Sequence, residues 1–316
     1  MQGHAAGLRQ SDRLIWSLIV VVAAVVALAV ATSRFSLAAS SFIGPGSAIV
    51  LFLVGQYVYS RCWPDERLAA ALGGTAQLAA FAAVGAPLSY IGASLDLPLR
   101  DRWFDAADRA LGLDWTAWFA SLNAHAELHT ALWLLYFSLL PQTAVVVLVL
   151  AFRGHLAWLR VYMLGFIITT LVAIAIAAIL PSAGAWAFYK LSASNLHVVP
   201  AVHGDYLPAF YGLRDGTARL LVATGAKGII TFPSVHAALG VLLIAALWPV
   251  PVLRWVSLAI NAAMVLAVPV EGGHYFVDVF AGLAIAAVSL LAARAIVQRA
   301  HAVPPADIEA ALVPSR

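Results

Sequence analysis

Two short clusters carry side chains suited to nucleophilic and acid–base chemistry: Phe232-Pro233-Ser234-Val235-His236 and Gly272-Gly273-His274-Tyr275-Phe276-Val277-Asp278. Each stands where a loop gives way to an apolar run, Ala237 to Leu247 after the first and Phe276 to Ile296 after the second, so both are expected to be helix entrances. An ionisable group at a membrane helix costs about 3 kcal/mol if it faces lipid, which makes its presence a functional signal. His274 and Asp278 are spaced i, i+4 and share one helix face. An imidazole backed by a carboxylate has its tautomer fixed and its other nitrogen free to attack or to move a proton. His236 can supply the matching acid or base. Ser234 can cap the first turn after Pro233, and a helix N-terminus with unpaired amides attracts anions. The chemistry these residues suggest is transfer of a phosphoryl group through a histidine.

The segment Pro233-Ser234-Val235-His236, followed 38 residues after its histidine by His274-x-x-x-Asp278, resembles the second and third signature motifs of the type 2 phosphatidic acid phosphatase superfamily. The flanks, F-P-S-x-H and G-G-H-Y-x-V-D-x-x-A-G, are similar to its inositol phosphorylceramide synthase-like (inositolphosphotransferase) branch. The resemblance implies His274 as nucleophile, Asp278 as its orienting partner and His236 as the acid that protonates the leaving oxygen. The chain departs from the pattern twice. Ala267 and Val268 stand where the third motif carries a Ser-Arg pair, and no Arg-Pro dipeptide exists to supply the first motif. Phosphate still needs cations. Arg214 is the first choice, because a similar Arg-Asp-Gly-Thr stretch occurs in the same branch, and an arginine can bind phosphate through two nitrogens. Arg219 and Lys227 follow it, and Ser234 and Gly273 complete the expected phosphate-binding set. No metal and no cofactor are expected.

The elements that must position these residues are helices in a bilayer. The chain of 316 residues is 63% hydrophobic and 10% charged, with a mean hydropathy of +0.92. That composition excludes an ordinary soluble domain and implies a polytopic membrane protein. The net charge of +3 gives no support to nucleic-acid binding, and the lone Cys62 can form no internal disulfide. Apolar runs at about Leu14 to Ala31, Ser47 to Tyr59, Leu68 to Tyr90, Leu128 to Leu150, Leu156 to Leu180, Val235 to Val250, Val252 to Val270 and Phe276 to Val297 predict an all-α transmembrane bundle of about eight spans. The expected organisation is a cytoplasmic head (1–13), two added helices (14–64), a six-helix phosphatase-like core (65–297) and a cytoplasmic tail (298–316). Within the core, residues 96–129 interleave charges with Trp103, Phe104, Trp115 and Trp118, the mark of an interfacial amphipathic segment. The long loop 181–231 carries the candidate cations, with His197 and His203 expected to be incidental.

Parity gives a further constraint. With an even number of spans between the two motifs, His236 and His274 meet on one face. If the N-terminus is cytoplasmic, the short inside connections hold Arg61, Arg67, Arg153, Arg160 and Arg254, as the positive-inside rule asks. The site then faces the periplasm or outside from a cell inner membrane. The resulting expectation is a lipid phosphate phosphatase acting through a phosphohistidine on a phospholipid or sphingolipid. The alternative is a phosphotransferase to an alcohol such as inositol. A proton-coupled transporter is a non-enzymatic rival, although no pair of spans is broken at matching positions of two halves. A histidine-ligated haem or metal protein is a further one, and two histidines at helix mouths fit it poorly.

Overall fold

The computed structural model describes residues 2–302 except Ser194, Asn195 and His197, and the side chains of residues 7–300. The expectations for His197 and for most of the tail therefore lie outside the described residues. The chain is an integral membrane protein built almost wholly of helix. Among the described residues, six helices are long and apolar enough to cross a bilayer: α1 (Gln2–Thr32), α2 (Ala39–Arg61), α3 (Glu66–Ala93), α8 (Leu156–Ile179), α12 (Leu253–Glu271) and α13 (Phe276–Ala302).

Two of the eight expected spans take a different form. The fourth is a broken pair, α6 (Ala126–Phe137) and α7 (Leu139–Phe152), bent by 47°. Pro141 has no N–H to offer the Phe137 carbonyl, so the helix gives way one turn before it. The sixth is α11 (Val235–Leu247), whose 13 residues rise only about 20 Å, short of a ~30 Å hydrocarbon layer. The Trp248-Pro249-Val250-Pro251 sequence stops it early. The second span is longer than expected, because α2 runs through Pro45, and none of its residues is buried.

The central core joins α1, α3, α7, α8, α11 and α13 through residues such as Ile15, Phe81, Val147, Leu164, Leu242 and Ala293. Small residues allow the close approaches: a Cβ on Gly74 would stand 3.2 Å from Val147, and one on Gly92 would stand 3.2 Å from Ala178. The connections gather at two ends of the bundle. At one end, the two-residue strand β1 (Ser36–Leu37) pairs in parallel with β2 (Leu220–Leu221), and the Arg100 amide donates to the Pro181 carbonyl. The segment between α3 and α6 adds α4 (Asp101–Ala110) and α5 (Trp115–Asn123), and the long loop before α11 adds α9 (Ala185–Phe188) and α10 (Leu207–Asp215). The two motif clusters lie at this end. The opposite end holds the connections at 62–65, 153–155 and 248–252.

Candidate active site

Ser234 is the N-cap of α11 and accepts the Ala237 amide at 3.3 Å. His236 follows in the first turn. Opposite, α13 begins at Phe276, and its entrance is satisfied in an unusual way. Asp278, the third residue of the helix, accepts the Tyr275 amide at 2.9 Å, the acidic half of a capping box. The next two amides, Phe276 and Val277, are capped from another helix: the buried Asp108 carboxylate of α4 accepts them at 2.8 and 2.9 Å. Burial pushes the Asp108 carboxyl up, while the two amides act against that.

The same segment grips the loop before α13 at two more points. The Trp115 indole N–H reaches the Pro269 and His274 carbonyls at 3.0 and 2.9 Å. Asp101 accepts the Ser182 hydroxyl and the Ala183 and Gly184 amides at 2.8 to 3.1 Å, and the Tyr275 hydroxyl at 3.3 Å. Burial and the neighbouring carboxylates raise the Tyr275 phenol well above its ordinary range, so it stays a donor. The sequence marked residues 96–129 as amphipathic but offered no sign of these partners, which lie more than 80 residues away.

His274 Nδ1 lies 3.3 Å from Asp278 Oδ2, which turns Nε2 outward, 3.4 Å from Ser234 Oγ. The Ser234 amide donates to the Asp278 carbonyl at 3.0 Å and ties the two helix entrances together. Gly272 makes room for the imidazole, and the next residue, Gly273, makes the turn. A Cβ on Gly272 would stand 2.4 Å from His274 Cδ2, and Gly273 has φ +63°, in the left-handed region. The Gly273 carbonyl accepts the Ala185 amide at 2.8 Å.

A cavity of about 510 Å³ opens beside both histidines, between Tyr136, Lys227, Asp205 and Gly272. Lys227 stands on its wall, ion-paired with Asp205, which raises its pKa and keeps it charged. The structure thus brings His236, His274 and Lys227 to one cavity, with Asp278 behind His274 at Nδ1 and Ser234 beside its Nε2. Arg214 and Arg219 are engaged elsewhere. Arg214 pairs with Asp96 at 2.8 Å, donates to the Leu97 carbonyl and lies over Phe210. Arg219 donates to the Leu213 carbonyl and lies over Phe35. His203 Nδ1 stands 3.1 Å from the Pro200 carbonyl.

Two features escaped the sequence reading. Glu271, immediately before the glycine pair, is fully buried with Oε1 2.9 Å from His129 Nε2, and its other oxygen accepts the Ala201 amide. His129 and His125 form an i, i+4 pair that the metal-free reading passed over. Their rings diverge: His125 Nδ1 lies against the Ser121 carbonyl, and among the described residues no group of three or more potential ligands converges. Tyr136 of α6 lies against His236, 100 residues away in the chain.

Residues 102–292 match the family model of the PAP2 superfamily. The chain belongs to that superfamily. The match runs from the second residue of α4 through most of α13 and so contains both histidine clusters, Asp108 and Trp115 of the clamping segment, and the cavity. Comparison with curated proteins and with solved structures returns no match. Membership in the PAP2 superfamily, together with the membrane helices, supports a function of the lipid-phosphatase type.

Proposed function

We propose that the protein cleaves lipid phosphate esters through a phosphohistidine. His274 Nε2 attacks phosphorus, the bond to the lipid oxygen breaks, and His236 gives its proton to that oxygen. Water then attacks the phosphohistidine, the N–P bond breaks, and phosphate leaves. The observation that carries this reading is the pair of imidazoles opening onto one cavity, with the Nδ1 of His274 held by Asp278. Ser234 and the N-terminus of α11 receive phosphate oxygens, and Lys227 is the cation that meets them. Arg214 and Arg219, held by their own partners, serve the loop rather than the phosphate. Positioning and charge neutralisation supply most of the rate.

Transfer to an alcohol such as inositol is a second reading, in line with the resemblance to the inositolphosphotransferase branch. It is favoured by the Asp205 carboxylate on the cavity wall beside Lys227, a natural acceptor for hydroxyl groups. A phospholipid or sphingolipid enters from the bilayer in either case.

The deciding experiment supplies the purified protein with phosphatidic acid or a phosphosphingolipid, with and without myo-inositol, and follows free phosphate and lipid products. Acceptor-independent phosphate release means a phosphatase, and acceptor-dependent formation of a new head-grouped lipid means a transferase. His274→Ala is expected to lower turnover by at least about 10³-fold, and His236→Ala by about 10²- to 10⁴-fold. Full activity in either variant would sink the mechanism.

A further inference from the structure

The end of the bundle opposite the histidines holds a second cavity, of about 460 Å³, between α1, α2, α3 and α8. Apart from Arg160, its lining lies before residue 102, outside the stretch that matches the superfamily. Its floor is a largely buried ion pair. Arg160 of α8, 8% exposed, donates to the Asp12 carboxylate of α1 through two nitrogens, Nε to Oδ1 at 3.1 Å and Nη2 to Oδ2 at 2.8 Å, and the Gln77 amide of α3 adds a third donor at 3.4 Å. Those two charges neutralise each other. Around the mouth stand Arg9 of α1, Arg61 at the end of α2 and Glu66 at the start of α3. Among the described residues none of these three side chains has an ion pair or a hydrogen bond. Asp65, by contrast, is engaged, accepting the Arg67 and Leu68 amides. Tyr59 also lines the cavity, and its ring centroid lies 6.5 Å from that of the exposed Trp63. Tyrosine and tryptophan at a membrane helix end belong to the headgroup layer, which sets the mouth at the depth of lipid phosphates.

We propose that this cavity binds the headgroup of an aminophospholipid, with the phosphate between Arg9 and Arg61 and the ammonium on Glu66. Basic pockets between membrane helices receive lipid headgroups, and arginine forks match phosphate oxygens. A phosphate alone would set a second anion beside the Glu66 carboxylate. An ethanolamine ammonium answers that carboxylate with a cation and three N–H donors. The volume falls within the range of about 300–1,000 Å³ typical of ligand sites. α2 packs chiefly on α3 and buries none of its residues, so a lipid held by Arg9 and Arg61 joins α2 to α1. This site is independent of the histidine chemistry: its ligand is held and not cleaved.

Native mass spectrometry of the delipidated protein, titrated with dioleoyl phosphatidylethanolamine, phosphatidylglycerol or phosphatidylcholine, tests the proposal. One ethanolamine lipid is expected to bind at least about tenfold more tightly than either other lipid, the scale of one charge-assisted hydrogen bond. Arg9→Gln combined with Arg61→Gln should weaken it by at least about tenfold, whereas Arg153→Gln, on another connection at the same end, should leave it within about twofold. Glu66→Gln should erase the preference over phosphatidylglycerol and keep phosphate binding. The ethanolamine lipid should also raise the thermal midpoint of wild type and not that of the double variant. Equal affinity for the three lipids, or unchanged affinity in the double variant, overturns the proposal. Tightest binding of phosphatidylglycerol overturns it as well, because Glu66 then has no cation to meet. The comparison among lipids needs no variant, so it decides even if the double variant fails to fold. Soluble glycerophosphoethanolamine at the same concentrations should not displace the lipid; displacement would make the ligand a free phosphate ester and overturn the lipid assignment.

Discussion

The chemistry at single residues depends on where side chains are missing. A Cβ at Gly272 would overlap His274 Cδ2 at 2.4 Å, whereas one at Gly282 would stand 2.3 Å from the Ser234 carbonyl oxygen. The first neighbour is the end of a side chain that can turn aside; the second is backbone. Gly272→Ala is therefore expected to leave the melting temperature within a few degrees while lowering kcat by at least about tenfold, because the imidazole is moved off its line to phosphorus. Gly282→Ala must push α13 away from the α11 cap, and overpacking of this kind costs about 1–3 kcal/mol. It should lower the thermal midpoint and activity together. Assays of kcat alongside thermal melts in detergent separate the two, and a Gly272→Ala enzyme of wild-type rate would contradict the placement of His274. Lys227 is tested by a different split. Its pair with Asp205 raises its pKa, so it stays charged at any pH below its ordinary range and supplies a constant cation to the cavity. Lys227→Met should raise KM for lipid phosphate by about tenfold, the scale of one charge-assisted hydrogen bond. Arg219→Met should leave KM within twofold.

At the level of elements, α4 and α5 hold the chain on either side of His274, the proposed nucleophile. The Asp108 carboxylate replaces the missing helical partners of the first α13 amides, and Trp115 pins the carbonyls on either side of the glycine pair. Asp108→Ala would leave two amides uncapped at a half-buried helix end. The expected loss is about 1–3 kcal/mol in stability, together with a fall in kcat larger than any change in KM. Retained wild-type kcat would show that the clamp is structural only. None of these contacts was legible in the chain, whereas the helix entrances were. Local chemistry explains the difference: Ser234 before an apolar run, and His274 with Asp278 one turn apart, are patterns complete within a few residues. Asp108 and Phe276, or Tyr136 and His236, meet only after the bundle closes. Arg214 illustrates the same limit. Its neighbourhood in sequence suggested a free loop cation, but its partner Asp96 comes from the segment after α3. The break between α6 and α7 could be suspected from Pro141, but not its 47° bend.

Over the whole molecule, the apolar segments alternate so that the connections at 33–38, 94–125, 180–234 and 272–275 share one end. Hydrogen bonds from Ser36 to Arg219, Arg100 to Pro181 and Ala185 to Gly273 join them directly. Cys62, exposed between α2 and α3, lies at the other end. The arginines at 61, 67, 153 and 254 lie there too, the distribution that the positive-inside rule assigns to the cytoplasm. If the site faces outward, Cys62 in intact spheroplasts should resist a membrane-impermeant maleimide until the bilayer is permeabilised. A Thr224→Cys, Cys62→Ser variant, with its thiol on the exposed loop before Lys227, should react at once. The reverse pattern would place the cavity in the cytoplasm, and substrate would then have to be drawn from the inner leaflet. Labelling of both without permeabilisation would mean that residues 33–61 do not form a span. The exposed surface of α2 would then be an interfacial face rather than a lipid-facing one, and β1 would have to leave β2.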